Sequence, residues 1–304
     1  MGYGSFDPSA YRSFSDSAKT KTTDQVYTSR GMHKDLNPHG VYRESRDSVD
    51  NPNSTPLIVA LDVTGSMGKI ADNIAKAGLG TLFQGILDRK PISDPHLMFM
   101  GVGDANCDKA PLQVSQFEAD NRIVQQLTQI YLEYGGGGNN FESYNLPWYF
   151  AAEHTIHDSF EKRAKRGYLF TVGDEEAPKD LTKDQIHTFI GDTLERVPNT
   201  TEMLENAQRT YDVFHVVIKQ GSHAKHYGDR VISSWTDLLG QRVIPLDDYE
   251  LLAQTIVSAI EVAEGVAASD SAARWGRGAK LVETAVRAIP QSRKPKLLGS
   301  GGGR

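Results

Sequence analysis

The sequence predicts an α/β chain: a doubly wound, mainly parallel sheet with helices on both faces and an extended arm at each end. Three observations carry this. Short apolar runs such as Leu57-Ile58-Val59-Ala60-Leu61 have the length and composition of strands buried on both faces. Segments with apolar residues at helical spacing separate those runs, as crossover helices do in a parallel sheet. The length, 304 residues, suits one large domain with appendages, since a domain holds about 100–200 residues.

The elements follow in order. Residues 1–55 are rich in Ser, Asp, Lys, Thr and Asn, and Tyr3, Phe6, Tyr11, Phe14, Tyr27 and Tyr42 follow no period. This predicts an extended arm that stays mobile or is ordered by a partner. After the first strand, 57–61, and a polar turn, Ile70, Ile74, Ala77, Leu82 and Ile86 predict a helix over 69–88, closed by Pro91 and Pro95. His96–Val102 is a second strand, and the alternation in Leu112–Phe117 marks a half-exposed edge strand. A short helix is expected over 121–132. The run Gly135–Gly138 then leads into a helix over 142–160 with Pro147 in its first turns. Gly167–Gly173 is the next strand. Two short helices fill 180–210, split by Val197-Pro198-Asn199. Strands at Asp212–Ile218 and Arg242–Leu246, a helix over 228–239 and an amphipathic helix over 249–264 complete the domain, 56–266. A basic tail, 267–304, holds a helix over Ala279–Ile289, expected to pack on the body, and a flexible Gly-Ser-Gly-Gly-Gly stretch at 299–303.

Composition narrows the function. An apolar share of 38% and a charged share of 24% fit a soluble protein with a real core. The single cysteine, Cys107, excludes an internal disulfide framework and a cysteine-built zinc site. No run approaches the ~18 apolar residues of a membrane span, and the first residues lack a basic stretch followed by an apolar one. A cytoplasmic protein, or part of a particle assembled there, is expected. The net charge of −6 is uneven: residues 1–55 sum to zero and 272–304 to +7, which leaves −13 on the body. An acidic body repels phosphates, and the tail has little aromatic surface beyond Trp275, so nucleic acid is disfavoured as a partner.

In open α/β sheets ligands sit outside the carboxyl ends of the strands, and three such ends carry unusual polar groups. Asp62-Val63-Thr64-Gly65-Ser66-Met67-Gly68 follows the first strand, Asn139-Asn140-Phe141-Glu142-Ser143 follows the glycine run, and Asp174 follows the strand at 167–173. Asp62, Thr64 and Ser66 alternate, so in an extended loop they point the same way. With Asp174 they form a small all-oxygen set, which suits Mg²⁺, with Mn²⁺ or Ca²⁺ as alternatives. Two carboxylates balance one divalent ion, and neutral hydroxyls leave it attractive to an external carboxylate. Capping of the following helix is the simpler role for Asp62; the three other oxygen donors favour the metal.

Asp62-x-Thr64-x-Ser66 after an apolar strand resembles the Asp-x-Ser/Thr-x-Ser signature of von Willebrand factor type A (vWA) domains, the family that includes integrin I domains. The glycine loop and the strand ending at Asp174 recur in the family's order, and the resemblance covers about residues 56–266. It implies a Rossmann-like fold and a metal-ion-dependent adhesion site. In such a site the hydroxyls of Thr64 and Ser66 would bind the metal directly, Asp62 and Asp174 would act partly through water, and an acidic residue of a protein partner would complete the shell. The family commonly has Thr after two glycines in the second loop. Here that place holds Asn139, with Asn140, Glu142 and Ser143 close by as alternates, so the resemblance does not extend to the closed-to-open switch of integrin I domains. The glycine run and Thr64 look more like bacterial and intracellular vWA proteins. Many of these are thought to work beside AAA+ ATPases, which implies such an ATPase or a multi-subunit assembly as partner.

Other readings compete. Gly65-Ser66-Met67-Gly68-Lys69 imitates a phosphate-binding loop, but Val63 stands where the first Gly belongs and Ile70 follows the lysine. A phosphohydrolase of haloacid dehalogenase type would use Asp62 as nucleophile, yet wants an Asp where Thr64 stands. A structural component of a phage or bacterial particle, with a metal that only stabilises loops, is the non-adhesive alternative. His215 reads as a core residue, His223 and His226 as loop residues, and His154 and His157 as a solvated helix face. Asp104 and Asp108 beside Cys107 argue against a reactive thiol.

Overall fold

Eight strands run through residues 4–133 and 140–292, the part of the chain that the computed structural model describes, apart from the side chains of Ser66 and Ala75. They are β1 (Arg43–Ser45), β2 (Thr55–Asp62), β3 (Pro95–Val102), β4 (Leu112–Val114), β5 (Thr155–His157), β6 (Gly167–Gly173), β7 (Tyr211–Ile218) and β8 (Val243–Leu246). Six form the main sheet in the order β4-β3-β2-β6-β7-β8, parallel throughout except for the antiparallel edge strand β4. The chain builds outward from β2 to one side and then returns to lay β6 on the other, so the order reverses between β2 and β6.

Helices cover both faces, which is why the strand sequences are continuously apolar. Leu57, Val59 and Leu61 of β2 enter a core shared with the helices Leu79–Arg89 and Leu252–Ala263. Ile58 and Ala60 enter the opposite core with Asn145–Glu153, Thr200–Thr210 and Ser222–Leu239. The helix expected over 69–88 is a composite: a 3₁₀ turn at Gly65–Met67, α-helix at Gly68–Asn73, a wider π turn at Ile74–Gly78, and α-helix again at Leu79–Arg89. Edge strand β4 is buried rather than half exposed. Gln113 exchanges two 2.8 Å bonds with the backbone of Tyr131, and the Arg43 guanidinium donates to the Ser115 carbonyl at 3.1 Å.

The N-terminal segment departs from the extended arm that its sequence predicts. Pro8–Lys19 is a helix capped by Asp7, whose carboxylate accepts from the backbone of Ser9 at 2.8 Å and Ala10 at 3.2 Å. It buries Tyr11, Ser15 and Ala18 on the chain's own body, and Phe6 stacks on Phe83 with ring centres 4.2 Å apart. The stripe is helical, but Ser15 and Ala18 carry too little apolar surface to announce it. The helix expected over 142–160 also changes form, ending at Glu153 so that β5 can pair in parallel with β1. The tail packs in cis through Ala268–Ala273 and Ala279–Val286. Arg89 lies 3.5 Å from the Trp275 ring centre and 3.1 Å from Glu261, which also takes Arg274 at 3.1 Å. Residues 293–304 lie outside the described part. Among the described residues no helix is long and apolar enough to cross a membrane.

Candidate metal centre

Asp62 ends β2 and Asp174 follows β6 directly; because the two strands pair, with Leu61 opposite Val172, both carboxylates arrive at the point where the strand order reverses. Both are buried, Asp62 at 0% and Asp174 at 2% exposure, with Thr64 at 8%. Asp62 Oδ1 accepts from the Thr64 backbone N–H at 2.9 Å and from the Thr64 hydroxyl at 2.7 Å. Its Oδ2 accepts from the Tyr144 hydroxyl at 3.0 Å. Asp174 Oδ2 accepts from the His223 backbone N–H at 2.8 Å. Two glycines make room for this. A Cβ on Gly221 would lie 2.3 Å from that of Asp174, and one on Gly173 would strike the Tyr144 ring.

The centre is crowded with acid. Burial, and then the charge of Asp174, push the Asp62 carboxyl up to about 7. Burial also raises Asp174. Glu175 is pushed up to about 8 by burial and by Asp174, and Glu142 to about 10 by burial and by Asp62. The nearby basic side chains sit to one side: the His223 ring is 3.4 Å from both Glu175 and Glu176, and Arg230 holds Glu176 at 2.6 Å.

The expected site residues divide. Asp62, Thr64 and Asp174 come together as described. Ser66 lies in the 3₁₀ turn one residue past Gly65, but its side chain is outside the described part, as is the whole of Asn139. Asn140 is exposed, and its carbonyl accepts from the Glu176 N–H at 3.1 Å. Ser143 accepts from the Ala105 N–H at 2.9 Å and serves to pin the loop. Glu142 is the second-loop residue that joins the cluster: it is 5% exposed, within electrostatic reach of Asp62, and its Oε2 is buried without a hydrogen bond. Gly173 and Glu175 flank Asp174 in a Gly-Asp-Glu-Glu stretch that could imitate the later metal-binding motif of a haloacid dehalogenase-type phosphohydrolase, whereas nothing local marks Tyr144 or Gly221.

No group of three or more His, Cys, Asp or Glu side chains among the described residues has the arrangement of a metal site. The donor set here is smaller in such groups and richer in other oxygens. The Thr64 hydroxyl spends its proton on Asp62, which leaves its lone pairs open to a cation. With the orphaned Glu142 oxygen this makes an all-oxygen set that fits a hard divalent ion.

Elsewhere, His215 is a core residue: fully buried, held neutral by that burial, 2.8 Å from the Thr171 hydroxyl and stacked on Trp235 at 3.5 Å. His154 and His157 are buried rather than solvated. His154 bonds Asp192 at 2.8 Å, and His157 caps the helix Asp158–Arg163 by accepting from the Phe160 N–H at 3.2 Å. The Cys107 thiol is pushed up to about 12 by desolvation and by its bond to Asp104, which disfavours the thiolate.

No protein-family model matches the chain, and no curated protein matches it. Among solved structures it is similar to the pilus adhesin SpaC from Lactobacillus rhamnosus GG in its open conformation, with a TM-score of 0.44 and 10% identity. That alignment covers 72% of this chain and 31% of the adhesin. A second structure of the same adhesin gives a TM-score of 0.42 and 9% identity over 72% of this chain and 32% of that one. The chain therefore spans about a third of the length of the adhesin chains it resembles.

Proposed function

We propose that the chain is a metal-dependent protein-interaction module of vWA type, with a Rossmann-like, doubly wound sheet and a Mg²⁺ site that takes an acidic group of a protein partner. One observation carries the reading: two buried carboxylates from separate strands meet at the reversal of strand order, with no lysine or arginine bonded to either among the described residues. Asp62, Thr64 and Asp174 would hold the ion, with Ser66 and Asn139 expected beside them and Glu142 the nearest further carboxylate. The ion would supply a positive centre for a partner carboxylate; Mn²⁺ or Ca²⁺ could replace it. Tyr144 and the His223 N–H keep the two Asp side chains oriented. We place the protein in the cytoplasm or in a particle assembled there, as a component of a larger assembly that includes a partner such as an AAA+ ATPase.

A second reading is favoured by the depth of Asp62, at 0% exposure: a metal that only staples the strand-end loops in a particle component. Calorimetric titration with Mg²⁺ tests both, with uptake expected in the wild type and absent in Asp62→Ala. Pull-down from the native host with Mg²⁺ or EDTA then separates them. Loss of a partner on chelation supports the adhesive reading; equal recovery supports the staple.

A further inference from the structure

We infer that the partner brings two acidic side chains, one to the strand-end carboxylate centre and a second to a basic pocket beside it. This rests on the metal-dependent reading above and extends it. The pocket, of about 470 Å³, is lined by Gly65, Lys69, Ile218, Gly221, Lys225 and His226, among others, and by no Asp or Glu. Its volume lies within the range of about 300–1,000 Å³ typical of ligand sites. Lys69 and Lys225 are exposed, and neither ammonium has an ion pair among the described residues.

Position gives the pocket its meaning. Gly65 follows Thr64 directly, and Gly221 is the residue packed against the Asp174 side chain. The pocket therefore opens beside the Asp62–Asp174 pair, on the β7 side of the sheet. Across the pair, on the β3 side, the loops carry Asp104, Asp108 and Glu142; Glu142 interacts electrostatically with the other two and with Asp62. The rim of the centre is thus uneven in charge: acid towards β3 and along the loop after β6, where Glu175 and Glu176 face His223 and Arg230, and base in the pocket beyond Gly221. A partner strand bearing a carboxylate is repelled along one direction and attracted along the other. Its next acidic side chain falls on the lysines, where an ammonium–carboxylate hydrogen bond replaces two solvated charges.

Fluorescence anisotropy on the full chain tests this with labelled peptides of the form Asp-(Gly)n-Asp, n from one to four, each with a control in which the second Asp is Asn. Binding is measured in Mg²⁺ and in EDTA, for the wild type and for the double variant Lys69→Gln/Lys225→Gln, after thermal melts confirm that the variant is folded. Binding that requires Mg²⁺ is expected, with at least one diacid about tenfold tighter than its control, the scale of one charge-assisted bond. That gain should vanish in the double variant. Equal affinity for diacid and control, a gain that survives in the variant, or no peptide bound although calorimetry detects Mg²⁺ uptake would each overturn the inference and leave the metal site standing. Absence of Mg²⁺ uptake by the wild type removes the metal reading and this inference together.

Discussion

Gly221 shows what one missing methyl group allows. Its backbone lies at φ −62° and ψ 154°, a conformation open to any residue, so the need for glycine comes from contact alone: an added Cβ would sit 2.3 Å from Asp174 Cβ, Cγ and Oδ2. Gly221→Ala should cost about 1–3 kcal/mol through overpacking and weaken Mg²⁺ uptake by displacing Asp174. Gly228, in the same helical segment with nothing within 4 Å, is the control. Gly228→Ala should stabilise by about 0.4–1 kcal/mol and leave uptake unchanged. Urea denaturation and calorimetry read both, and equal effects would remove the packing argument. The same contrast explains what the sequence disclosed of the centre. Asp62, Thr64 and Asp174 could be found because each stands at a strand end with a spacing that has chemical meaning. Tyr144 and Gly221 could not, since their roles arise from approach across 82 residues in one case and 47 in the other, with no local pattern to mark it.

At the level of elements, the least legible pieces are those whose burial is supplied by small or polar groups. The helix Pro8–Lys19 presents Tyr11, Ser15 and Ala18 to the body, and a Cβ on Gly80 would lie 2.3 Å from the Tyr11 ring. Tyr11→Ala should therefore cost about 3 kcal/mol, as for other buried aromatic truncations, measured by urea denaturation; a negligible loss would mean that the N-terminal helix docks without stabilising. The strand pair β1–β5 was equally hidden, because three-residue strands carry no period. It brings His157 to a buried position where desolvation lowers its pKa to about 4. The sign follows from linkage. The unfolded chain binds this proton from about pH 6.5 downward while the folded chain resists until about 4, so stability is complete above 6.5 and falls between 6.5 and 4. The slope for one such group approaches about 1.4 kcal/mol per pH unit. His157→Gln should flatten that part of the stability profile, and an unchanged slope would show that the ring titrates freely in the folded state.

Across the whole molecule, the alternation of apolar runs with helical segments was enough to foretell a parallel sheet covered on two faces. The charge asymmetry was legible too but its meaning was not: Arg274, counted in the basic tail, is bound by Glu261 of the body. Among the described residues Asp62 and Asp174 have no such cationic partner, unlike Glu176, which Arg230 holds, and this sets up a crossing of stabilities. Asp62 is fully buried beside another carboxylate, so in EDTA its charge weighs against the folded state. Asp62→Asn keeps the volume and removes that charge, and should melt in EDTA at or above the wild-type temperature. In Mg²⁺ the order should invert. A ligand that binds only the folded chain adds about 2.7 kcal/mol at a hundredfold excess over its dissociation constant, several degrees for a chain of this size, and the variant should gain little. Thermal melts of both proteins across a Mg²⁺ series decide it. A variant that melts well below the wild type in EDTA would assign Asp62 to loop anchoring through its bonds to Thr64 and Tyr144, and parallel responses to Mg²⁺ would place the cation away from Asp62.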